Sequence, residues 1–239
     1  MNHLELVRSY LKEKVSTENI PRTGFPFVAI SQQTGTEAHV LAHVIPTDFL
    51  KFPSVDMFRE WGVFDQKICE VIAEDPQLHS SMNDLQAERF DSEGRQLVEG
   101  LMTGRPDQYM QYRRIFQMLR ILATLGKSIL VGRASPMATH GIPGGVHIRL
   151  VAHENSRIRR IMHTMQIGRE QARDLIHHQD ADRRRLVKTF FDKDIDDPLN
   201  YDVVWNTDQV GLHEISRSVI QMLLLRAEKK TPPHSPCES

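Results

Sequence analysis

The chain has 239 residues, of which 40% are hydrophobic and 26% are charged, and its formal net charge is −1. This length and composition predict one globular domain with a core of ordinary size, and they exclude a strong overall field for nucleic acid or a membrane surface. Its two cysteines, Cys69 and Cys237, form neither a disulfide framework nor a CxxC metal motif, so we expect a cytoplasmic protein in a reducing compartment.

The first 24 residues are predicted to form an amphipathic helix and a linker. Within residues 3–16, apolar side chains recur at helical spacing: Leu4, Val7, Leu11 and Val15. Residues 19–26 end this pattern with two prolines and a glycine. The segment lacks the apolar run of a signal peptide, and no window reaches about 18 apolar residues, so we predict no membrane contact.

Helical and strand patterns alternate through the rest of the chain. A strand at 27–31 leads to a helix at 36–44 that Pro46 should end, and residues 45–62 look irregular. Further helical patterns occupy most of 63–75, 84–125, 154–191 and 211–227. Short apolar runs typical of buried parallel strands occupy 128–132, 146–152 and 201–207.

This alternation predicts an α/β fold with a central parallel sheet. Ligands of such sheets bind at the carboxyl ends of the strands. Four polar stretches follow predicted strands and should face one another across one crevice: ISQQTG, VGRAS, VAHENS and NTDQVG.

Several ordered stretches together resemble the cytidylate kinase-like family: ISQQTG…LA, VFDQKICEVIAED, ILVGRAS, HIRLVA…RIRRIM, ARDLIHHQDADRRRLVKTFF and DDPLNYDVVWNTDQVGLHEI. The resemblance implies a three-layer P-loop kinase fold over residues 25–227, with a helical lid at about 154–195 and segments that bind the nucleoside monophosphate. It also implies phosphoryl transfer from Mg-ATP to CMP or dCMP. Residues 228–239 are predicted to be a disordered tail.

The same resemblance implies roles for particular residues. Catalytic roles fall to Arg133, Arg157, Asp182 and Arg185, and acceptor binding falls to Arg59, Asp65, Arg133 and Asp182. Each of these residue types could instead have a purely structural role. The arginines could be an ordinary solvated or ion-paired helix face, Asp65 could be a plain helix cap, and the side chains of residues 206–208 are best explained by turn and cap formation.

The predicted phosphate loop consists of Ser31, Gln32, Gln33, Thr34, Gly35 and Thr36. Aligned with G-x-x-x-x-G-K-[ST], the sequence has Gln32 and Glu37 at the glycines, Ala38 at the lysine and His39 at the hydroxyl position. The family usually has SRQ-x-GSGG here, so the loop is degenerate even by that standard. We expect Glu37 to repel a triphosphate, and side chains at 37 and 38 to resist positive φ.

These departures leave two functional hypotheses. One is an active kinase, and the other is a catalytically impaired relative that binds a nucleotide or a partner protein. A nucleic-acid binder is disfavoured because no aromatic residues interleave the arginines. No HExxH motif occurs, so no protein-held metal is predicted. The oligomeric state stays open.

Overall fold

The computed structural model describes residues 25–52, 56–65 and 107–228. Several predictions fall outside the described residues: the N-terminal helix, the parts of the predicted helical patterns that cover 66–75 and 84–106, and the tail beyond residue 228. Both cysteines also lie outside them.

Five parallel strands form a single sheet in the order β2-β3-β1-β4-β5. The strands are β1 (Phe27–Gln32), β2 (Gly62–Phe64), β3 (Ser128–Val131), β4 (Gly145–Val151) and β5 (Val203–Asn206). The central β1 pairs on one side with β3, with Val28 opposite Ile129, and on the other with β4, with Val28 opposite Val146. The predicted α/β fold with a parallel sheet is therefore confirmed.

Helices cover both faces of the sheet. They are α1 (Ala38–Phe49), α2 (Asp107–Leu125), α3 (Ser135–Ala138), α4 (Glu154–Met165), α5 (Arg169–Phe191) and α6 (Leu212–Glu228), with short 3₁₀ helices at Asp56–Phe58 and Pro198–Asn200.

The alternation of side chains along β1 explains the three layers. Phe27 and Ala29 point to one face, where they pack in a buried cluster with α2. Val28 and Ile30 point to the other face and pack with α1 and α6. All four are completely buried, and burial of a large apolar side chain contributes about 1.5–3 kcal/mol. These two clusters hold β1 rigidly in the centre, and so fix the start of the loop that follows it.

Two predicted helix boundaries differ from the structure. Pro46 lies inside α1, which continues to Phe49 instead of ending before the proline. Although proline loses one helical hydrogen bond, burial of Ile45 and Phe49 carries the helix past it. The stretch 154–191 is two helices, because Gln166 adopts a left-handed conformation (φ 54°) that ends α4 before α5 begins.

Among the described ranges, no helix is both long enough and apolar enough to cross a membrane.

Candidate functional site

The loop between β1 and α1 is tied to the end of β4. The backbone N–H of Gln33 donates to the Leu150 carbonyl at 3.0 Å, and the side-chain oxygen of Gln33 accepts from the Ala152 N–H at 3.1 Å. Inside the loop, the Thr36 hydroxyl donates to the Gln33 carbonyl at 2.8 Å. Because these bonds use groups of the chain itself, the loop keeps its turn without a bound ligand.

Gly35 is required where the loop passes close to α4. Its φ is +84°, and a Cβ there would lie 3.0 Å from the Arg157 carbonyl oxygen. Glycine adopts positive φ without steric cost, and its missing side chain allows the close approach.

Glu37 adopts the conformation that the sequence suggested it would resist. It lies at the N-cap of α1 with φ 61° and ψ 29°, in the left-handed region, and its side chain makes no capping bond. Ala38 already has helical backbone angles. Of the two positions at which the family has glycine, only position 37 is therefore strained, and this strain costs about 1–3 kcal/mol. The Glu37 carboxylate lies 3.5 Å from Nε of Arg160, which offsets part of its charge.

A buried network, which we call the Asp180 clamp, joins the loop to helices α4 and α5. It consists of Thr34, Arg157, Asp180 and Arg183. Oδ1 of Asp180 accepts from the Thr34 backbone N–H and hydroxyl, both at 2.8 Å, and from Arg183 at 3.1 Å. Oδ2 accepts from Arg157 at 2.6 Å. Arg183 also donates to the Thr34 hydroxyl.

The Asp180 clamp is largely shielded from water. The side chains of Asp180 and Arg157 are only 9% and 10% exposed, and that of Arg183 is 26% exposed. Burial lowers the pKa of Arg183 more than the neighbouring Asp180 carboxylate raises it. An arginine starts from so high a pKa that it stays charged, so the network is a carboxylate between two cations.

A second buried arginine supports the start of the loop. Arg149, in β4, donates to the Ser31 hydroxyl at 2.8 Å and to the Asp196 carboxylate at 2.5 Å. The Tyr201 hydroxyl also donates to Ser31, at 3.3 Å, and burial raises the pKa of that phenol. Arg149 was missed in the sequence, where the available signal was a lone charge inside the apolar run VHIRLVA.

Arg160 ties α4 to the turn after β5. It donates to the Asp208 carboxylate at 2.8 Å, to the Thr207 hydroxyl at 3.2 Å and to the Gly35 carbonyl at 3.3 Å. Burial raises the pKa of Asp208, but hydrogen bonds from His153 and the charge of Arg160 outweigh it, so the net shift is downward. The side chains of Thr207 and Asp208 therefore have structural partners within the chain.

Arg133 lies at the carboxyl end of β3 on a strained backbone. Gly132, Arg133 and Ala134 have successive φ values of 75°, 49° and 55°. Such conformations are costly for residues with a side chain and cluster at functional sites. The guanidinium donates to the Tyr112 hydroxyl at 3.1 Å and lies 5.4 Å from the centre of that ring.

Asp182 and Arg185 form an exposed pair on α5. Their charged atoms are 3.5 Å apart, and their side chains are 47% and 75% exposed. Burial is the main cause that raises the pKa of Tyr112, and the charge of Asp182 adds to it.

Asp65 reaches this edge of the sheet, whereas Arg59 does not. Asp65 directly follows β2, and its carboxylate lies 4.0 Å from His39 in the first turn of α1. Arg59 precedes β2 and therefore lies at the amino edge, where it pairs with Asp56 at 3.3 Å. Residues before and after a parallel strand lie at opposite edges, so the structure does not bring Arg59 to the crevice.

Among the residues that the structure describes, no three His, Cys, Asp or Glu side chains are grouped as a metal cage would require. Magnesium bound through nucleotide phosphates and water does not need such a cage.

The sequence interpretation singled out Asp182 and Arg185 on α5, whereas the contacts with the loop are made by Asp180 and Arg183. Asp182 and Arg185 share the spacing of Asp180 and Arg183, but a shift of two residues turns a helix by about 200°. The available signal was a stripe at helical spacing that includes apolar residues and the clamp: Ala172, Ile176, Asp180, Arg183 and Val187. The apolar members are buried, and they carry Asp180 and Arg183 inward.

Comparisons with known proteins agree with this architecture. An uncharacterized protein from Eubacterium ventriosum ATCC 27560 has a crystal structure with a TM-score of 0.64 at 16% identity, over 84% of this chain and 98% of that chain. A shikimate kinase from Bacteroides thetaiotaomicron covers the same shares at 14% identity, but its TM-score of 0.42 is too low to support an argument. No curated protein matches the chain.

The model of the cytidylate kinase-like family matches residues 27–209, which span the sheet, the loop between β1 and α1, and helices α4 and α5. The chain therefore belongs to the cytidylate kinase-like family.

Proposed function

We propose that the protein transfers the γ-phosphoryl group of Mg-ATP to a pyrimidine nucleoside monophosphate, with CMP or dCMP preferred. One observation carries the proposal. Arg157 and Arg183, which are 123 and 149 residues from Thr34 in sequence, both contact that residue of the phosphate loop. Phosphoryl transfer needs positive charge around the moving group more than it needs covalent chemistry, and this arrangement supplies it.

On the donor side, arginines would take over the task of the missing lysine. Ala38 stands where the loop lysine would be, but Arg157, Arg160 and Arg183 all contact the loop. The loop would hold the donor through residues 31–36 and the free N–H groups at the start of α1. Magnesium would arrive with ATP as part of the substrate.

On the acceptor side, Arg133 would bind the monophosphate. Its fork of N–H donors matches a phosphate, and the strained turn after β3 fixes its direction. Asp182 would contact the base or orient an arginine, Arg185 would close over the phosphates, and Asp65 would line the monophosphate side. The lid would exclude water as it closes.

A catalytically impaired relative is the second candidate, and Glu37 favours it. The Glu37 carboxylate is 44% exposed beside the loop, where it would repel a triphosphate, and Ala38 offers no compensating charge. Such a protein would bind a monophosphate or a partner without turnover.

The deciding experiment measures thermal unfolding of the full chain with Mg-ATP, Mg-GTP and each nucleoside monophosphate, singly and in pairs. A ligand at 100 times its Kd adds about 2.7 kcal/mol of stability. Stabilisation by Mg-ATP and by CMP, followed by ADP production, would support the kinase. Stabilisation by a monophosphate alone would favour the impaired relative. No stabilisation by any nucleotide would contradict the kinase and every nucleotide-binding role, and would leave only a relative that binds a partner protein.

Variants of two arginines test the acceptor side. Arg133→Ala should lower kcat/KM for the monophosphate by about 100-fold, which corresponds to about 2.7 kcal/mol of transition-state stabilisation. The matched control is Arg59→Ala, which removes an exposed arginine at the opposite edge of the sheet and should leave kcat/KM unchanged. Equal losses in both variants would contradict the assignment of Arg133.

A further inference from the structure

The donors of the Asp180 clamp are those that a phosphate group would use. We propose that the Asp180 carboxylate occupies an oxyanion site formed by the Thr34 N–H, the Thr34 hydroxyl, Arg157 and Arg183, and that a phosphate group must displace it in order to bind. This inference deepens the proposed function, since it concerns the same loop, but it makes a separate claim about how the empty site is held.

Convergence of donors on one carboxylate oxygen is the first argument. Oδ1 of Asp180 accepts from a backbone N–H, a hydroxyl and a guanidinium, all within 3.1 Å. A backbone N–H of a phosphate loop, together with arginine, is a donor set typical of phosphate binding. Here the chain itself supplies the anion, from a helix 146 residues away.

A donor left unused is the second argument. Nε of Arg157 is buried and has no hydrogen-bond partner among the described residues, although Nη1 of the same guanidinium donates to Asp180 and to the Thr34 carbonyl. A buried N–H without an acceptor is costly, and such groups call for an explanation. A carboxylate has two oxygens, whereas a phosphate has more, so a phosphate in place of Asp180 could satisfy this donor as well.

Charge balance points in the same direction. Two guanidinium groups face one carboxylate in the clamp. A phosphate with two negative charges would match this excess better than the single charge of Asp180.

The packing of the lid allows Asp180 to withdraw. Around the first half of α5, Ile158, Ala172 and Ile176 form a small apolar cluster of their own, separate from the two clusters that cover the sheet. This part of the lid can shift without opening the main core.

Binding of inorganic pyrophosphate, measured by calorimetry without nucleotide, tests the displacement. Asp180→Asn keeps the shape of the side chain and removes its charge, so it should bind pyrophosphate about tenfold more tightly than the wild type. The control is Asp174→Asn, which removes an exposed carboxylate from the same helix and should match the wild type.

Equal or weaker binding by Asp180→Asn would overturn the inference, because Asp180 would then orient the arginines for the ligand and not compete with it. Absence of binding in both proteins would also overturn it. Since pyrophosphate has no acceptor partner, these outcomes are independent of turnover. Tighter pyrophosphate binding by Asp180→Asn, without kinase activity in the wild type, would support this inference and contradict the proposed function. Kinase activity in the wild type, without tighter binding by Asp180→Asn, would contradict this inference and support the proposed function.

A rate measurement on the wild type covers the case in which Asp180→Asn does not fold. If Asp180 must leave first, the rate of pyrophosphate binding, followed by tryptophan fluorescence, should level off as the concentration rises. A rate that increases linearly over the whole range would overturn the inference.

Discussion

Helix α5 carries two aspartate–arginine pairs with the same spacing and very different environments. Asp180 and Arg183 are held against the loop between β1 and α1, with the carboxylate only 9% exposed. Asp182 and Arg185 are on the other side of the helix, and the arginine is 75% exposed. The comparison teaches that spacing alone does not assign a role, because the direction of each pair relative to the core decides what it can touch.

The two pairs should also differ in energy. Loss of one partner from a buried ionic network leaves the others charged and unpaired, which is strongly destabilising. An exposed pair contributes little because water screens it, so its side chains can rearrange around a ligand at low cost. On this view the buried pair organises the loop, and the exposed pair is available to a substrate.

The largest effect is expected for Asp180→Ala, which should lower the free energy of unfolding by about 3–5 kcal/mol. The substitution leaves Arg157, Arg183 and the Thr34 N–H without their shared acceptor. Asp182→Ala should cost less than about 0.5 kcal/mol. Urea unfolding measures the free energy of unfolding of both variants. Similar losses in the two variants would mean that the buried and the exposed pair contribute equally to stability.

Gly35→Ala should cost about 2 kcal/mol, because it combines positive φ with a Cβ placed 3.0 Å from the Arg157 carbonyl. Gly141→Ala is the matched control: Gly141 has nearly the same φ, +82°, but a Cβ there would meet nothing within 4 Å. Thermal unfolding should show the larger loss for Gly35→Ala. Equal losses would mean that the approach of the loop to α4 is not tight.

Glu37→Gly should stabilise the protein by about 1 kcal/mol, because glycine adopts φ 61° without strain. It should also raise the affinity for Mg-ATP by removing a negative charge. Glu37→Gln separates the two effects, since it removes the charge and keeps the strain. We expect it to improve ATP affinity without the gain in stability, and a stability gain equal to that of glycine would disprove the strain.

The smallest stability effect is expected for Arg185→Ala, below about 0.5 kcal/mol, because its pair with Asp182 is exposed. Turnover should nevertheless fall by at least about tenfold if Arg185 closes over the phosphates. Arg173→Ala, an exposed arginine on the same helix, should change neither quantity. A large loss of stability with unchanged turnover would mean that Arg185 stabilises the fold and does not contact the substrate.

Local sequence patterns determined the elements and their order. The apolar runs at 27–31, 128–132 and 146–152 correspond to strands because a buried parallel strand needs apolar residues on both faces. Strand direction then determines which loops share an edge of the sheet. Residues 31–36, Arg133 and Asp65 all follow strands, so the sequence alone places them at the same carboxyl edge. The same rule excludes Arg59 from this group, because Arg59 precedes β2 and so lies at the opposite edge of the sheet.

Only the tertiary structure decided which polar residues meet. Thr34 and Asp180 are 146 residues apart, and their hydrogen bonds depend on how α5 is rotated against the loop. Helical spacing applies equally to both pairs on α5, and the choice between them was made by burial of the stripe around Ile176 and Val187. Arg149 and the left-handed Glu37 depend likewise on neighbours from other strands and helices, which a local pattern does not contain.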